Sequence, residues 1–415
     1  MGGPLAGVRV LDMSRILAGP WAGQLLGDYG ADVVKVEKPG AGDDTRRWGP
    51  PWLGDGRHGE AAYFLAANRN KRSIAIDLAT ADGRCVAADL ASRADVLIEN
   101  FRVGAMARYG LDPESLCETN PGLICCSITA YGQQGSRAQE PGYDAMIQAR
   151  GGIMSITGAP DAEGGSPQKV GVAVADLMAG MYAVTAILAA LQERSRSGKG
   201  QLIDVPLYDS QVAWLANQAQ NFLIGGEVPG RLGTAHPNLV PYQVFPTRDG
   251  HLMLAVGNDR QFRVLADCLG MPELGSDPRF LCNADRVENR EALVGFLSQA
   301  FARDATAAWL SRLASAGVPA GPINTVADVL TDAYAGERRL VRRMAHPLDD
   351  ALPTVANPVR FSRTPVRYDF APPLLGEQTQ GILSDWLGYG EEAIARLTAP
   401  GAACSPQPHD ESSDG

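Results

Sequence analysis

Six short apolar runs, at residues 8–12, 32–37, 73–77, 96–99, 123–127 and 201–205, divide the first two hundred residues. Stretches of helical spacing lie between them, at 19–29, 82–92 and 104–109. Strands that alternate with helices pair in parallel, with right-handed crossovers. Runs this apolar belong to a sheet covered on both faces. The expected fold class is α/β, with a large, doubly wound, Rossmann-like domain. The dinucleotide fingerprint is missing. Ser14-Arg-Ile-Leu-Ala-Gly-Pro20 follows the first run, and Gly40 and Gly42 lack a third glycine at the required spacing. That disfavours a nicotinamide-dependent dehydrogenase.

The spacing places the large domain at 1–224 and a linker rich in Gly and Pro at 225–240. A smaller α/β domain at 241–330 opens on a hairpin turning at Asp249-Gly250. Helices are expected at 209–223, 261–269, 290–302 and 306–316. Residues 331–398 read as a linker and an extended return to the large domain, ending in a helix at 378–387. The acidic stretch 399–415 reads as a disordered tail.

A net charge of −10 opposes general nucleic-acid binding. The seven cysteines form no CxxC pair, which fits a reducing compartment and no metal site. The start lacks the basic and apolar regions of a secretory signal. The longest nearly uncharged run, 177–191, is shorter than the ~20 residues that span a bilayer. The expectation is a cytoplasmic protein with no membrane association.

One acid stands out. Asp176 is the sole charged residue between Lys169 and Glu193, where an apolar segment runs into a long apolar helix. Asp is a favoured helix N-cap, so capping is the plain reading of its local pattern. A carboxylate nucleophile is the alternative. Serine-hydrolase and zinc-protease motifs are absent. His58, His251 and His346 have no partner pattern, and His409 lies in the tail. Basic residues cluster around the expected strands: Lys35, Lys38, Arg46 and Arg47 near the end of the second, Lys71 and Arg72 just before the third, and Arg102 and Arg108 after the fourth. Loops at strand carboxyl ends gather on one sheet edge, so this pattern points to a phosphorylated, anionic ligand. Singly, each is more often solvated surface charge. Tyr143 either bonds a ligand or packs.

Ordered motifs then carry a resemblance. They are Leu17-Ala-Gly-Pro20, Gly30-Ala-Asp-Val-Val-Lys-Val-Glu37, Asn70-Lys-Arg-Ser-Ile74, Val96-Leu-Ile-Glu-Asn-Phe101, Gly142-Tyr-Asp144, Val174-Ala-Asp176 and Gly198-Lys-Gly-Gln201. The chain resembles the family III coenzyme A transferases, the formyl-CoA and carnitine CoA-transferase group. Gly42 to Pro51 and Gly233 to Phe245 are most similar to the succinyl-CoA:glutarate CoA-transferases. The resemblance implies Asp176 as catalytic nucleophile and CoA contacts at Ile16, Leu17, Ala18, Lys38, Asn100, Phe101, Arg108 and Tyr143. Lys38 stands where Arg is frequent, so bidentate phosphate contact is lost there. Pro141 occupies another basic position, leaving Arg137 as a candidate substitute. It also implies an interlocked homodimer, with CoA thioesters as substrates and no permanently bound cofactor or metal.

The implied reaction moves CoA from an acyl-CoA to a carboxylic acid through an aspartyl anhydride and an aspartyl–CoA thioester. For a dicarboxylate acceptor, Arg46, Arg47 and His236 are the candidate cations. Two other readings remain: a 2-methylacyl-CoA racemase of the same superfamily, and a non-catalytic CoA-binding protein. The racemase needs a histidine where Tyr143 stands.

Overall fold

The computed structural model describes residues 2–56 and 59–406; His58, His409 and residues 407–415 lie outside them. The chain forms two compact units. The first takes residues up to 151, then 171–214, then those from 334 onward. The second takes 152–170 and 215–333.

The first unit is built from β1 (Arg9–Asp12), α1 (Ala18–Asp28), β2 (Asp32–Glu37), β3 (Lys71–Ala75), α2 (Ala81–Arg93), β4 (Val96–Glu99), β5 (Ile124–Thr129), α3 (Asp144–Arg150), α4 (Val174–Ser197) and β6 (Leu202–Pro206). The six strands pair in parallel in the order β3-β2-β1-β4-β5-β6. The order in which successive strands are added reverses between β1 and β4, which remain parallel, and a crevice opens at the carboxyl ends of such a pair. Successive strand residues point to opposite faces. Val10, Val33, Val96 and Ile124 pack in one core with α1 and α4. Their neighbours Leu11, Val34, Leu97 and Cys125 pack in the other with α2. Near-continuous apolar runs are what this two-sided burial requires.

Helix α4 runs for 24 residues, longer than its uncharged segment. It is long and apolar enough to cross a membrane by length and composition, unlike the shorter segment read from sequence. Half of its apolar window is buried against the protein itself. Ala175, Ala179 and Ala183 are fully buried in the core it shares with α1. Gly180 sets the approach, because a Cβ there would meet the Ala18 carbonyl oxygen at 2.7 Å. Gly180→Val should therefore destabilise the protein by about 1–3 kcal/mol despite valine's better helix propensity. A lowered urea midpoint is the expected reading; an unchanged one would show that the two helices are free to separate. Gly198 ends α4 at φ 73°, its N–H donating to the Arg194 carbonyl.

Segments distant in sequence complete the first unit. The β3 edge is covered: Asn70 N–H donates to the Phe370 carbonyl, and Ser73 N–H to the Gln378 side chain. Trp386 is buried in the α2-side core, and its indole N–H donates to Asp32 at 2.7 Å. The disorder expected from 399 is not found over 399–406, and the rest of that stretch lies outside the described residues. Residues 399–406 turn back onto the sheet, with Cys404 fully buried and Asp77 N–H donating to the Ala403 carbonyl. The Pro-rich return also contains an antiparallel hairpin, Val341–His346 with Asp349–Val355.

In the second unit, strands Ala320–Pro322, His251–Ala255 and Tyr242–Pro246 form an antiparallel sheet in that order. Helices Asp259–Cys268, Arg290–Phe301 and Thr306–Ser315 pack on it through Phe262, Phe301 and Trp309. The boundary expected at 225 falls instead at 215. The helix expected at 209–223 is two, Leu207–Ala213 and Ala216–Gly225, because Ala216 adopts φ 46°. The expected linker 225–240 belongs to this unit. Segment 152–170 pairs with it: Gly233 N–H donates to the Gly158 carbonyl, and Arg231 ion-pairs with Asp161.

Candidate active site

The carboxyl ends of β1, β4 and β5 and the first turn of α4 surround a cavity of about 240 Å³ within the first unit. Ile16, Leu17, Ala18, Asn100, Phe101, Tyr143 and Asp176 all line it. Asn100 ties two of its loops together. Its side-chain oxygen accepts from Arg15 N–H at 2.8 Å, and its amide donates to the Arg15 carbonyl at 2.7 Å.

Asp176 is the third residue of α4, not its cap. The cap acceptor comes from α3. Asp144 Oδ1 accepts Ala175 N–H at 2.8 Å and Asp176 N–H at 3.4 Å. Gly142 lets that segment lie beside β5, since a Cβ there would meet Ala130 at 2.6 Å. Asp176 is 8% exposed and pairs with no cation among the described residues. Burial, and secondarily the Asp144 carboxylate, push its pKa up to about 7. The α4 dipole favours the anion, but by only about 0.3–1 kcal/mol. Desolvation wins, so the dipole does not hold this carboxylate at an ordinary acidity. An anion so poorly solvated is a stronger nucleophile when it forms. Asp144→Asn keeps an oxygen for the cap and removes the charge. The acid limb of kcat/KM should then move to lower pH, by less than the full displacement because burial is the larger cause. An unmoved limb would exclude Asp144 as a tuning group.

The backbone at the cavity lip is strained. Ile16, a β-branched residue, sits at φ 72°. The left-handed region costs an L-residue roughly 1–2 kcal/mol. Asp43 opposes that cost. Its Oδ1 accepts Ile16 N–H at 3.2 Å and both Thr45 N–H and Oγ1, at 3.0 and 2.8 Å. Its Oδ2 accepts from the fully buried Lys35 ammonium at 2.9 Å. Burial alone would raise the Asp43 pKa, but Lys35 and the Thr45 donors bring it down to about 2. Hydrogen bonds to a charged acceptor contribute about 1.5–3 kcal/mol, enough to offset the strain.

Several expected ligand cations are committed elsewhere. Arg46 is buried, bidentate on Glu37 at 2.8 Å, paired with Glu60 at 2.8 Å, donating to the Pro373 carbonyl and stacked on Phe64. It is not free to meet an acceptor carboxylate. Lys71 is buried on Asp12 at 2.8 Å, and burial lowers its pKa to about 8. Arg72 pairs with Asp32. Arg137 stacks on Tyr131 and pairs with Glu140. Lys38, Arg47 and Arg108 are exposed and outside the cavity lining. His236 belongs to the second unit, where its Nδ1 accepts Asn238 N–H at 3.0 Å. Burial and Arg290 lower its pKa, so it is a weak cation. Among the described residues, the cations that line the cavity are Arg102 and Arg15, the latter paired with Asp44. Arg15 was missed in the sequence, although its place beside Ile16 was a usable signal.

The model of CoA-transferase family III matches residues 5–379. The chain belongs to this family. A succinate–glutarate CoA-transferase of Agrobacterium fabrum is 47% identical over 399 residues, covering 96% of this chain and 98% of that protein. A succinyl-CoA:glutarate CoA-transferase of Homo sapiens is 42% identical over 406 residues, covering 98% and 91%. The crystal structure of a CAIB/BAIF family protein from Brucella suis superposes with a TM-score of 0.82 at 47% identity, covering 93% of this chain and 100% of that one. The protein is a CoA-transferase, and CoA thioesters are the substrates of its family.

Proposed function

We propose that this family III CoA-transferase moves CoA from succinyl-CoA to a second dicarboxylic acid of similar length through covalent chemistry at Asp176. The observation that carries this reading is the buried, cation-free carboxylate at the cavity floor. Asp176 attacks the thioester carbonyl, the C–S bond breaks, and CoA thiolate leaves an aspartyl–acyl anhydride. The thiolate then attacks the aspartyl carbonyl and expels the donor carboxylate, giving an aspartyl–CoA thioester. The acceptor carboxylate attacks that carbonyl and releases the thiolate, leaving an acceptor–aspartyl anhydride. The thiolate takes the acceptor acyl group, and the Asp176 carboxylate is restored. One thioester replaces another, so the sequence closes without ATP or net proton transfer. Splitting the exchange this way replaces one hard step by several easier ones.

Ile16 to Ala18, Asn100, Phe101 and Tyr143 hold the carrier at the cavity, with Lys38 and Arg108 toward its phosphates. Arg15 and Arg102 place positive charge on the cavity wall for the acceptor's second carboxylate. An interlocked homodimer gives cover to exposed apolar side chains of the first unit, among them Tyr182, Leu202 and Trp214. The racemase reading lacks support, because no histidine lines the cavity among the described residues and Tyr143 stands where its general base would be expected.

The test is covalent. Incubation with succinyl-CoA and hydroxylamine should convert Asp176 to its hydroxamate, read as a mass shift on the peptide that contains it. An unlabelled Asp176 together with undiminished turnover would refute the mechanism. A donor and acceptor panel tests the substrate class: failure of succinyl-CoA with every C4–C6 diacid would discard it.

A further inference from the structure

We infer that Asp43 is a positioning residue for carrier binding, holding the strained Ile16 lip of the cavity in its left-handed shape before any ligand arrives. The inference rests on the reading of Ile16 to Ala18 as carrier contacts. Four described residues other than glycine have positive φ: Ile16, Asn70, Ala216 and Arg339. Ile16 alone among them lines the cavity. A β-branched residue does not adopt this shape unless its surroundings over-determine it. Here the surroundings are visible. The Asp43 carboxylate takes the Ile16 N–H. Asp43 is itself held from two positions on β2: Glu37 accepts its N–H at 2.9 Å, and Lys35 donates to its carboxylate at 2.9 Å. Lys35 also donates to the Ser14 carbonyl at 2.9 Å, fixing the same lip from the other side. The lip is thus tied to the rigid centre of the sheet, where Lys35 sits in register with Asp12. Pre-shaping of this kind lowers the cost of ordering a binding loop and so acts on affinity.

Asp43 does not touch the cavity, so its effect should appear in carrier binding and not in the chemical steps. Asp43→Asn should weaken CoA binding about tenfold by calorimetry and raise KM for acyl-CoA, with kcat within about twofold. The decisive comparison is a cycle with Ile16→Gly. Glycine reaches positive φ without help, so in that background Asp43→Asn should change CoA affinity by no more than about twofold. Amide hydrogen exchange on the unaltered full chain needs no variant: the Ile16 N–H should be protected in the free protein. An exposed Ile16 amide would overturn the inference. So would an equal loss of affinity in both backgrounds, or no loss in either. Should the unaltered protein fail to bind CoA, the carrier reading falls and the positioning role falls with it. CoA binding that ignores Asp43 sinks the positioning role alone.

Discussion

Asp176→Ala is expected to reduce CoA transfer by at least about 10³-fold, because it removes the group that forms the covalent bonds. The protein should nevertheless fold, and the isosteric Asp176→Asn should fold more stably than the parent. The folded-state pKa of about 7 lies above the ordinary carboxylate value of 3.8. Between those values the folded form holds a proton that the unfolded form has lost, so stability falls as pH rises from about 4 to about 7. Above pH 7 the penalty is complete, with an upper bound of about 4 kcal/mol. A neutral asparagine escapes it. The variant's gain in urea midpoint should be largest at pH 8 and vanish near pH 4. A variant less stable than the parent at pH 8 would mean that Asp176 is a structural ion, not a poised nucleophile.

The second large effect concerns Arg46. Arg46→Met should lower stability by about 3–5 kcal/mol, because Glu37 and Glu60 are left buried without their cation. Burial raises the carboxyl pKa of Glu37, and the Arg46 guanidinium, foremost among its partners, brings it back below the ordinary value. Glu37 also accepts the Asp43 N–H, so its loss of fixation should reach the cavity lip. The check is chemical denaturation at pH 7 beside an exposed control such as Arg47→Met. Equal, small effects for both would assign Arg46 to the solvent-facing role that its sequence pattern first suggested.

These two residues mark what a linear chain discloses. The six apolar runs were legible because burial on both faces of a sheet imposes composition locally. Asp176 was legible as an isolated charge in an apolar stretch. Its placement in the first turn of α4 rather than at the cap was not, because the capping carboxylate, Asp144, lies on another helix. The basic residues misled for the same reason. A charged side chain announces its sign but not its partner, and the partners are remote: Lys71 pairs with Asp12, and Arg46 reaches the Pro373 carbonyl. The ordered turn at 399–406 likewise depends on a contact across the fold, the Asp77 N–H donating to the Ala403 carbonyl.

The discontinuity of the first unit has a bearing on how the protein is made. Synthesis releases β1 to β6 long before residues 370–405, which close the β3 edge and supply Trp386 and Cys404 to the core. Until they emerge, an apolar sheet face and an open strand edge stand exposed, the condition that recruits chaperones and promotes aggregation. Ribosome-bound chains arrested at residue 370 should be digested by protease, and chains extended past 406 and clear of the exit tunnel should resist. The enzyme's folding is then decided when residues 370–405 emerge, not when its sheet is complete.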